Sequence, residues 1–304
     1  MNSASAGLIA VIGTNGQVSR ALMKCLGRRA IAVTQDQADL SHPETLGPAL
    51  DSAQTRGSGL SAVINAAAYT QVDLAEKERD LAFKINAESP GAMAKWCASR
   101  GVPFVHFSTD YVYPGDGDRA WKEEDTAGPL SAYGLSKLEG DRAVAAAGGR
   151  YLIFRTSWVY DAEGKNFVNT MLRLGAERET LRVVSDQIGA PTYAPHLAQA
   201  AIDALAKALA GPEFPSGIYH LCNTGETNWH EFAQSIFALA REKGRDLKVR
   251  EVEAIPSSAY STPAARPRNS RLDTSKARRI LGVELPSWRQ GLQECMAENS
   301  GNRA

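Results

Sequence analysis

Apolar residues along the chain follow two alternating rhythms. Unbroken short runs occupy Leu8 to Ile12, Ile31 to Val33, Ala62 to Ile64, Phe104 to Phe107 and Leu152 to Phe154. A run with no polar side to offer water suits a strand covered on both faces, and such strands belong to parallel sheets sandwiched between helices. Between the runs the spacing is helical: Leu81, Ile85, Met93, Trp96 and Cys97 share one face of a segment from Leu81 to Ser99, with Gly101 placed to end it. Strand and helix in alternation predict an α/β protein built on a doubly wound parallel sheet.

After Thr156 the rhythm weakens. Loops rich in Gly, Pro and Asn (Ala162 to Asn166, Gly189 to Thr192, Ser257 to Ser270) separate shorter elements, which suit a smaller α/β lobe that receives a substrate. An alanine-rich helix from Pro195 to Ala210 has the composition to pack back on the sheet, so the lobe is expected to be discontinuous. The predicted division is 1–157 with about 193–216 for the sheet, and about 158–192 with 217–304 for the lobe. No internal repeat or low-complexity tract interrupts either part.

Composition narrows the partners. Lys plus Arg and Asp plus Glu stand at 34 each, so no excess of positive charge points to nucleic acid or to an anionic membrane. A charged ligand must therefore be met by local chemistry. Four cysteines (Cys25, Cys97, Cys222 and Cys295) are far apart and form no CxxC pair, which argues against a zinc site or a disulfide scaffold and fits a reducing cytosol. The opening MNSASAG runs into an apolar stretch too short for a signal peptide or membrane anchor, so a soluble cytoplasmic protein is expected.

Two sites carry candidate chemistry. Gly13-Thr14-Asn15-Gly16-Gln17-Val18-Ser19 follows the first strand and opens a helix. Glycines there permit a tight turn and close approach to a pyrophosphate, while free amides and the helix dipole favour the anion. Ser19 takes the place of the usual third glycine, where close helix-to-strand packing asks for a small residue. The second strand ends near Thr34-Gln35-Asp36, with no carboxylate directly where one would grip the ribose hydroxyls of NAD. A ribose phosphate is repelled less, which makes NADPH at least as suitable as NADH. Arg28 and Arg29 are either helpers of that phosphate or a solvated basic turn.

Tyr133 and Lys137 are four residues apart and share one face of a helix. A free phenol with a pKa of about 10 holds its proton too tightly for exchange near neutrality. A neighbouring ammonium, helped by the charge of an oxidised nicotinamide, would stabilise the phenolate and bring Tyr133 toward working range as proton donor to a carbonyl. Thr109, in Ser108-Thr109-Asp110 after the fourth run, either caps backbone or hydrogen-bonds the reacting carbonyl. Both groups fall at the carboxyl edge of the sheet, where ligands of open α/β folds bind.

The G-x-x-G turn, Asn65-Ala66-Ala67-Ala68, Ser108-Thr109-Asp110-Tyr111 and Tyr-x-x-x-Lys, in this order, resemble the extended short-chain dehydrogenase/reductases, which implies a Rossmann-type sheet. Asn65-Ala-Ala-Ala-Tyr69-Thr70-x-Val72-Asp73, Ser108-Thr-Asp-Tyr-Val-Tyr113-Pro-Gly, Phe154-Arg-Thr-Ser-Trp158-Val-Tyr160 and Ala264-x-Arg266-Pro-x-Asn269-Ser-Arg-Leu272 resemble, more narrowly, the dTDP-4-dehydrorhamnose reductase family, and the likeness covers nearly the whole chain. It implies NAD(P)H-dependent reduction of the C4 ketone of dTDP-4-dehydro-L-rhamnose, a dTDP-linked keto sugar, to dTDP-L-rhamnose. By the same resemblance Thr109, Tyr133 and Lys137 form the catalytic set. Gly13, Asn15, Gly16, Gln17 and Val18 would hold the dinucleotide, Asp39 and Leu40 would lie beside the adenosine, and Ala66, Ala67, Ala68, Tyr69, Thr70 and Phe107 would line the rest of the cofactor. Thr109, Asp110 and Trp158 would meet the sugar nucleotide, with Gln187 (beside Asp186), Arg266 and Asn269 as contacts to diphosphate or base.

Some members of that family are bridged as dimers by magnesium through glutamates. The matching positions here are Ala21 and Pro195, which offer no ligand, so no metal is expected and a monomer or weak homodimer is. The same resemblance leaves other activities in view: another keto-sugar reductase, an epimerase or a dehydratase, and a non-catalytic regulatory subunit of the methionine adenosyltransferase type. A dehydratase carries an Asp-Glu pair after the threonine, where this chain has Asp110-Tyr111.

Overall fold

The structure is a computed structural model that describes residues 7–57 and 59–301; the opening segment, on which the expectation about a leader falls, lies outside them. Five strands come first: β1 (Leu8–Ile12), β2 (Ala30–Val33), β3 (Leu60–Asn65), β4 (Phe104–Thr109) and β5 (Tyr151–Thr156). Between them lie helices α1 (Gln17–Leu26), α2 (Leu46–Gln54), α3 (Arg79–Phe83), α4 (Ser89–Ser99) and α5 (Ala132–Ala146). The apolar runs read from sequence sit in these strands. The helix expected from Leu81 to Ser99 has a fault inside it: Lys84–Glu88, joining α3 to α4, takes the wider π turn.

The chain continues through β6 (Val159–Tyr160), α6 (Phe167–Glu177), β7 (Thr180–Val184), β8 (Ile188–Gly189), β9 (Thr192–Tyr193) and α7 (Ala194–Ala210). It ends with β10 (Gly217–His220), β11 (Thr227–Asn228), α8 (Trp229–Glu242), β12 (Glu251–Ile255), β13 (Asn269–Ser270), α9 (Ser275–Leu281) and α10 (Trp288–Gly301). The main sheet is parallel and runs β10-β5-β4-β3-β1-β2. Strand order reverses between β1 and β3, which opens a crevice at their carboxyl ends.

Alternation along the strands feeds two cores. Ile9 and Val11 pack with residues of α1, α7 and α9 on one face, while Ala10 and Ile12 pack with α2, α4 and α5 on the other. With both faces covered, each large apolar side chain in the sheet contributes about 1.5–3 kcal/mol by leaving water, which is why these strands have no polar alternation. A third core joins α6, α8 and α10 around Tyr160, Tyr193, Phe232 and Trp288 in the lobe.

The division read from sequence shifts at one boundary. It starts the second part of the lobe at 217, but Gly217 to His220 pair with Leu152 to Arg155 and form the edge of the main sheet. Ala277 and Leu281 of α9 likewise return to the core beside α7. All four cysteines are unpaired, three of them buried. Among the described residues no helix is long and apolar enough to cross a membrane, and no cluster of His, Cys, Asp or Glu is placed to hold a metal ion.

Candidate active site

The glycine turn occupies the reversal point of the sheet. Gly13 has φ 82° and sits so close to the next loop that an added Cβ would lie 2.7 Å from Cβ of Ala67. That combination admits only glycine without displacement. Gly16 is the N-cap of α1 and no side chain caps it, so the first amides of the helix are left for a ligand. Ser19 is fully buried and its hydroxyl donates to the Gly16 carbonyl at 2.9 Å, so the departure from a third glycine is absorbed inside the turn. Val18 is packed against the core, Asn15 stays exposed, and Gln17 faces the lobe, donating to the Val159 carbonyl at 3.4 Å and accepting from Asn166 at 3.0 Å. A dinucleotide fits this floor: small residues, a positive-φ glycine and free helix amides meet at one edge.

Beyond β2, Thr34 keeps its amide on the side chain of Gln37, and Gln35 and Asp36 are exposed. Arg28 and Arg29 belong to the turn Gly27–Arg29 that precedes β2, at its amino end. A strand of four residues spans about 13 Å at 3.3 Å per residue, so these arginines sit at the wrong edge to assist a ribose phosphate. Asp39 accepts from the amide and hydroxyl of Ser41, which hold its carboxyl below the usual range, and Leu40 is buried with its carbonyl taken by Ser89.

Ala66, Ala67 and Ala68 leave β3 along the crevice, half-buried, and Thr70 is exposed. Tyr69 is more committed than its assignment to the cofactor suggests. Its phenol donates to Glu78 at 2.7 Å, burial and that carboxylate push it up to about 12, and its backbone amide and carbonyl both bind the side chain of Asn86. Only its ring surface remains for a ligand. Asn86, in the π turn, also donates to Ser136 of α5 at 3.0 Å.

Helix α5 starts at Ser131, whose hydroxyl accepts from the Gly134 amide. Two glycines let it press into its neighbours: a Cβ on Gly134 would lie 2.3 Å from the Tyr111 carbonyl oxygen, and one on Gly140 would lie 2.0 Å from that of Asn86. This approach carries Tyr133 to the end of β4. The Thr109 hydroxyl donates to Asp110 at 3.1 Å and accepts from the Tyr111 amide, and it stands near enough to the Tyr133 phenol to favour its ionised form. Tyr111 meets the Tyr133 ring edge-on at 5.5 Å. Burial raises the Tyr133 pKa, with Thr109 opposing and the carboxylates of Asp110 and Asp141 adding to the rise. The lowering expected from Lys137 is not found: desolvation of the phenolate is the largest effect, and the group that opposes it is Thr109.

Lys137 is buried, with its Nζ donating to the Phe107 carbonyl at 2.6 Å and 3.3 Å from Nε2 of His106. Burial lowers its pKa to about 8, against the attraction of Asp141 one turn on. Asp141 is in turn held by Arg155 of β5 at 3.0 Å, both side chains almost fully buried. Sequence reading did not single out Asn86, His106, Asp141 or Arg155.

The wall continues from Asp110 into the lobe. Burial pushes the Asp110 carboxyl up to about 6, and the Ser270 hydroxyl beside it opposes the rise. Ser270 adjoins Gly189, where a Cβ would strike the Trp158 indole at 2.9 Å. Trp158 is the one described non-glycine residue with positive φ, at 50°, and its ring stacks on Trp229 at 3.8 Å. Such a backbone is rare for a bulky residue and is kept where a side chain must be aimed. Gln187 accepts from the Trp229 indole at 3.1 Å, behind that stack. Arg266 is paired with Asp73 at 2.8 Å, joining the lobe loop to the loop after β3. Asn269 departs from its expected role: its amide donates to the carbonyls of Asp116 and Arg119 and accepts from Arg271, so it fastens loops and has nothing left for a base or diphosphate.

A dinucleotide crevice at the reversal of a parallel sheet, with Tyr-x-x-x-Lys on the helix behind β4 and a separate lobe closing the far side, defines an extended short-chain dehydrogenase/reductase. The chain matches the family model described as RmlD substrate binding domain over residues 8–300. A dTDP-4-dehydrorhamnose reductase of Burkholderia thailandensis is 43% identical over 297 residues, 95% of this chain and 98% of its own length. That of Escherichia coli K12 is 41% identical over 296 residues, 95% and 97% of the two chains. A crystal structure of dTDP-4-dehydrorhamnose reductase from Bacillus anthracis in complex with NADP superposes with a TM-score of 0.87 at 34% identity, covering 96% of this chain and 99% of that one. The chain belongs to the dTDP-4-dehydrorhamnose reductase family.

Proposed function

We propose that this protein reduces the C4 ketone of dTDP-4-dehydro-L-rhamnose to dTDP-L-rhamnose with NADPH, NADH being the alternative donor. Kinship over nearly the whole length with named reductases supports the reaction, and the NADP complex of a relative supports the cofactor. The observation that carries the reading is local: Tyr133 of α5 stands beside Thr109 at the end of β4, whose hydroxyl favours the phenolate, and Lys137 lies one turn on along the same helix.

Bound NADPH supplies a hydride to the ketone carbon. Gly13, Gly16 and the first amides of α1 hold its diphosphate, and the alanines after β3 leave room for its nicotinamide half. The Thr109 hydroxyl orients the sugar oxygen, and Tyr133 gives its phenolic proton to that oxygen as the charge develops. Lys137 lends positive charge to the tyrosinate that remains. Trp158 offers the deoxyhexose an apolar face, Asp110 accepts from a sugar hydroxyl, and Arg266 is assigned to the nucleotide side of the substrate. We take residues 1–157 and about 193–221 as the cofactor unit, with α9 packed on it, and the remainder as the substrate lobe.

Purified protein mixed with NADPH and dTDP-4-dehydro-L-rhamnose tests this. One NADPH oxidised per sugar reduced is expected. Conversion of the sugar without net loss of NADPH marks an epimerase or dehydratase and overturns the reading, as does turnover confined to another keto-sugar nucleotide. Tyr111, with its raised phenol pKa, stands where a dehydratase would need an ionised acid, which favours the reductase.

A further inference from the structure

Behind the lysine lies a chain of buried polar groups that the reaction just described does not use. His106, on β4, is fully buried; its Nε2 lies 3.3 Å from Nζ of Lys137 and its Nδ1 lies 3.2 Å from Nδ2 of Asn65. The Oδ1 of Asn65 accepts from the Ala67 amide at 3.1 Å. We infer that His106 is a positioning residue which, with its tautomer set by Asn65, fixes the proton affinity of Lys137.

Donors and acceptors along the chain leave little choice. A backbone N–H can only donate, so the Asn65 atom facing Ala67 is oxygen, and the atom facing His106 is the NH₂ group. His106 Nδ1 must then accept. A neutral imidazole with an accepting Nδ1 carries its proton on Nε2, which is aimed at Lys137. Burial and the lysine together keep His106 neutral, holding its pKa well below the ordinary histidine value.

An Nε2–H meets an ammonium as donor against donor, but it meets an amine as donor to lone pair. The arrangement therefore favours the amine of Lys137, whose own N–H still donates to the Phe107 carbonyl. The opposite state needs the histidine proton on Nδ1 and the Asn65 amide turned over, which would set an NH₂ group against the Ala67 amide. Charges facing Lys137 from other directions are few. Asp141, on the same helix, favours the ammonium but is held by Arg155 of β5. Tyr133 lies a turn before it, and the π turn presents only the neutral Asn86, bonded to Ser136. Because Ala67 touches Gly13, the tautomer is anchored to the floor of the cofactor crevice.

This inference rests on the assignment of Lys137 to the reaction, but one of its tests does not. The full-length protein labelled with 15N-histidine reports the tautomer directly by NMR, His106 being identified with His106→Gln. A proton on Nε2 at neutral pH is expected; a proton on Nδ1 overturns the inference whether or not the protein is a reductase. Asn65→Asp keeps an acceptor for Ala67 and places a second one against Nδ1, which moves the proton there and turns Nε2 into an acceptor for the ammonium.

The alkaline limb of kcat/KM for the keto sugar should then shift upward by at least about one pH unit, a tenfold change in the apparent ionisation constant. An unmoved limb in active Asn65→Asp overturns the inference. So does an equal shift when Asn65→Asp is made in a His106→Leu background, since the carboxylate would then act without the imidazole. Should Asn65→Asp fail to fold, the wild-type spectrum still decides. Wild-type protein that shows the expected tautomer yet reduces no keto sugar refutes the assigned reaction and leaves the tautomer standing.

Discussion

Adding one methyl group at Gly134 should disable the site while leaving the fold in place. The Cβ of Gly134→Ala would sit 2.3 Å from the carbonyl oxygen of Tyr111, with Cβ of Pro129 at 3.1 Å. Backbone cannot rotate away as a side chain can, so reaching an ordinary contact of about 3.4 Å forces α5 and the Tyr111 segment apart by roughly 1 Å. Overpacking of this kind costs about 1–3 kcal/mol, and the helical preference of alanine over glycine returns about 1 kcal/mol, so the net loss of stability is small. The geometric loss is not. Tyr133 is the preceding residue and Thr109 belongs to the other side of the widened gap, and a misplacement of about 1 Å in reacting groups can lower turnover about 100-fold. Steady-state NADPH oxidation, with a melting curve and a NADPH titration on the same sample, reads all three quantities. Turnover within about twofold of wild type in Gly134→Ala would refute the claim that this contact sets the position of the phenol.

Tyr133→Phe should lower kcat by at least about 100-fold with little change in NADPH affinity, measured by fluorescence titration, because only the proton donor is removed. Lys137 has its pKa lowered to about 8, and its proposed role as a cation predicts that kcat/KM falls as pH rises through that value; a profile flat well beyond it would contradict the role. Trp229→Ala removes the ring stacked behind Trp158, and an aromatic pair of about 0.5–1.5 kcal/mol predicts a KM for the sugar nucleotide raised roughly 2- to 10-fold with NADPH binding unchanged. The buried neutral His106 and His220, the latter held near 3, resist protonation that the unfolded chain accepts below about 6.5. Melting temperature should therefore begin to fall as pH drops below that point. Asp110 takes up a proton in the fold near 6 and offsets part of the loss at lower pH, a sequence visible in melts taken at closely spaced pH values.

The central strands were legible because burial on both faces leaves them wholly apolar, and the turn at Gly13 because its geometry excludes other residues. β10 escaped for the same reason in reverse. Gly-Ile-Tyr-His ends in a buried polar residue whose imidazole is satisfied by Tyr113 at 2.6 Å, a partner 107 positions away that no local pattern reveals. His106 was hidden inside an apolar run and reads as part of a strand until Asn65 and Lys137 arrive on either side of it. Asn269 misled in the other direction: the family resemblance made it a ligand contact, and only the loop at 116–119 shows where its amide goes. The direction of the Tyr133 shift also lay beyond sequence, since helical spacing places a cation near a phenol but says nothing of how dry the phenol is.

The side chain of Gln17, part of the diphosphate turn, bonds at both ends to residues 159 and 166, and Arg20 one turn later pairs with Asp161 at 3.1 Å and reaches the Glu163 carbonyl. The segment that would grip one ligand is thus stitched to the segment leading into the lobe that would grip the other. Exchange of lobes between relatives, as a way to alter which sugar is accepted, must carry residues 159–166 together with the matching positions 17 and 20. A graft that cuts between them would leave a buried carboxylate and a cation facing strangers, and would weaken the grip on NADPH without touching a single residue of its turn.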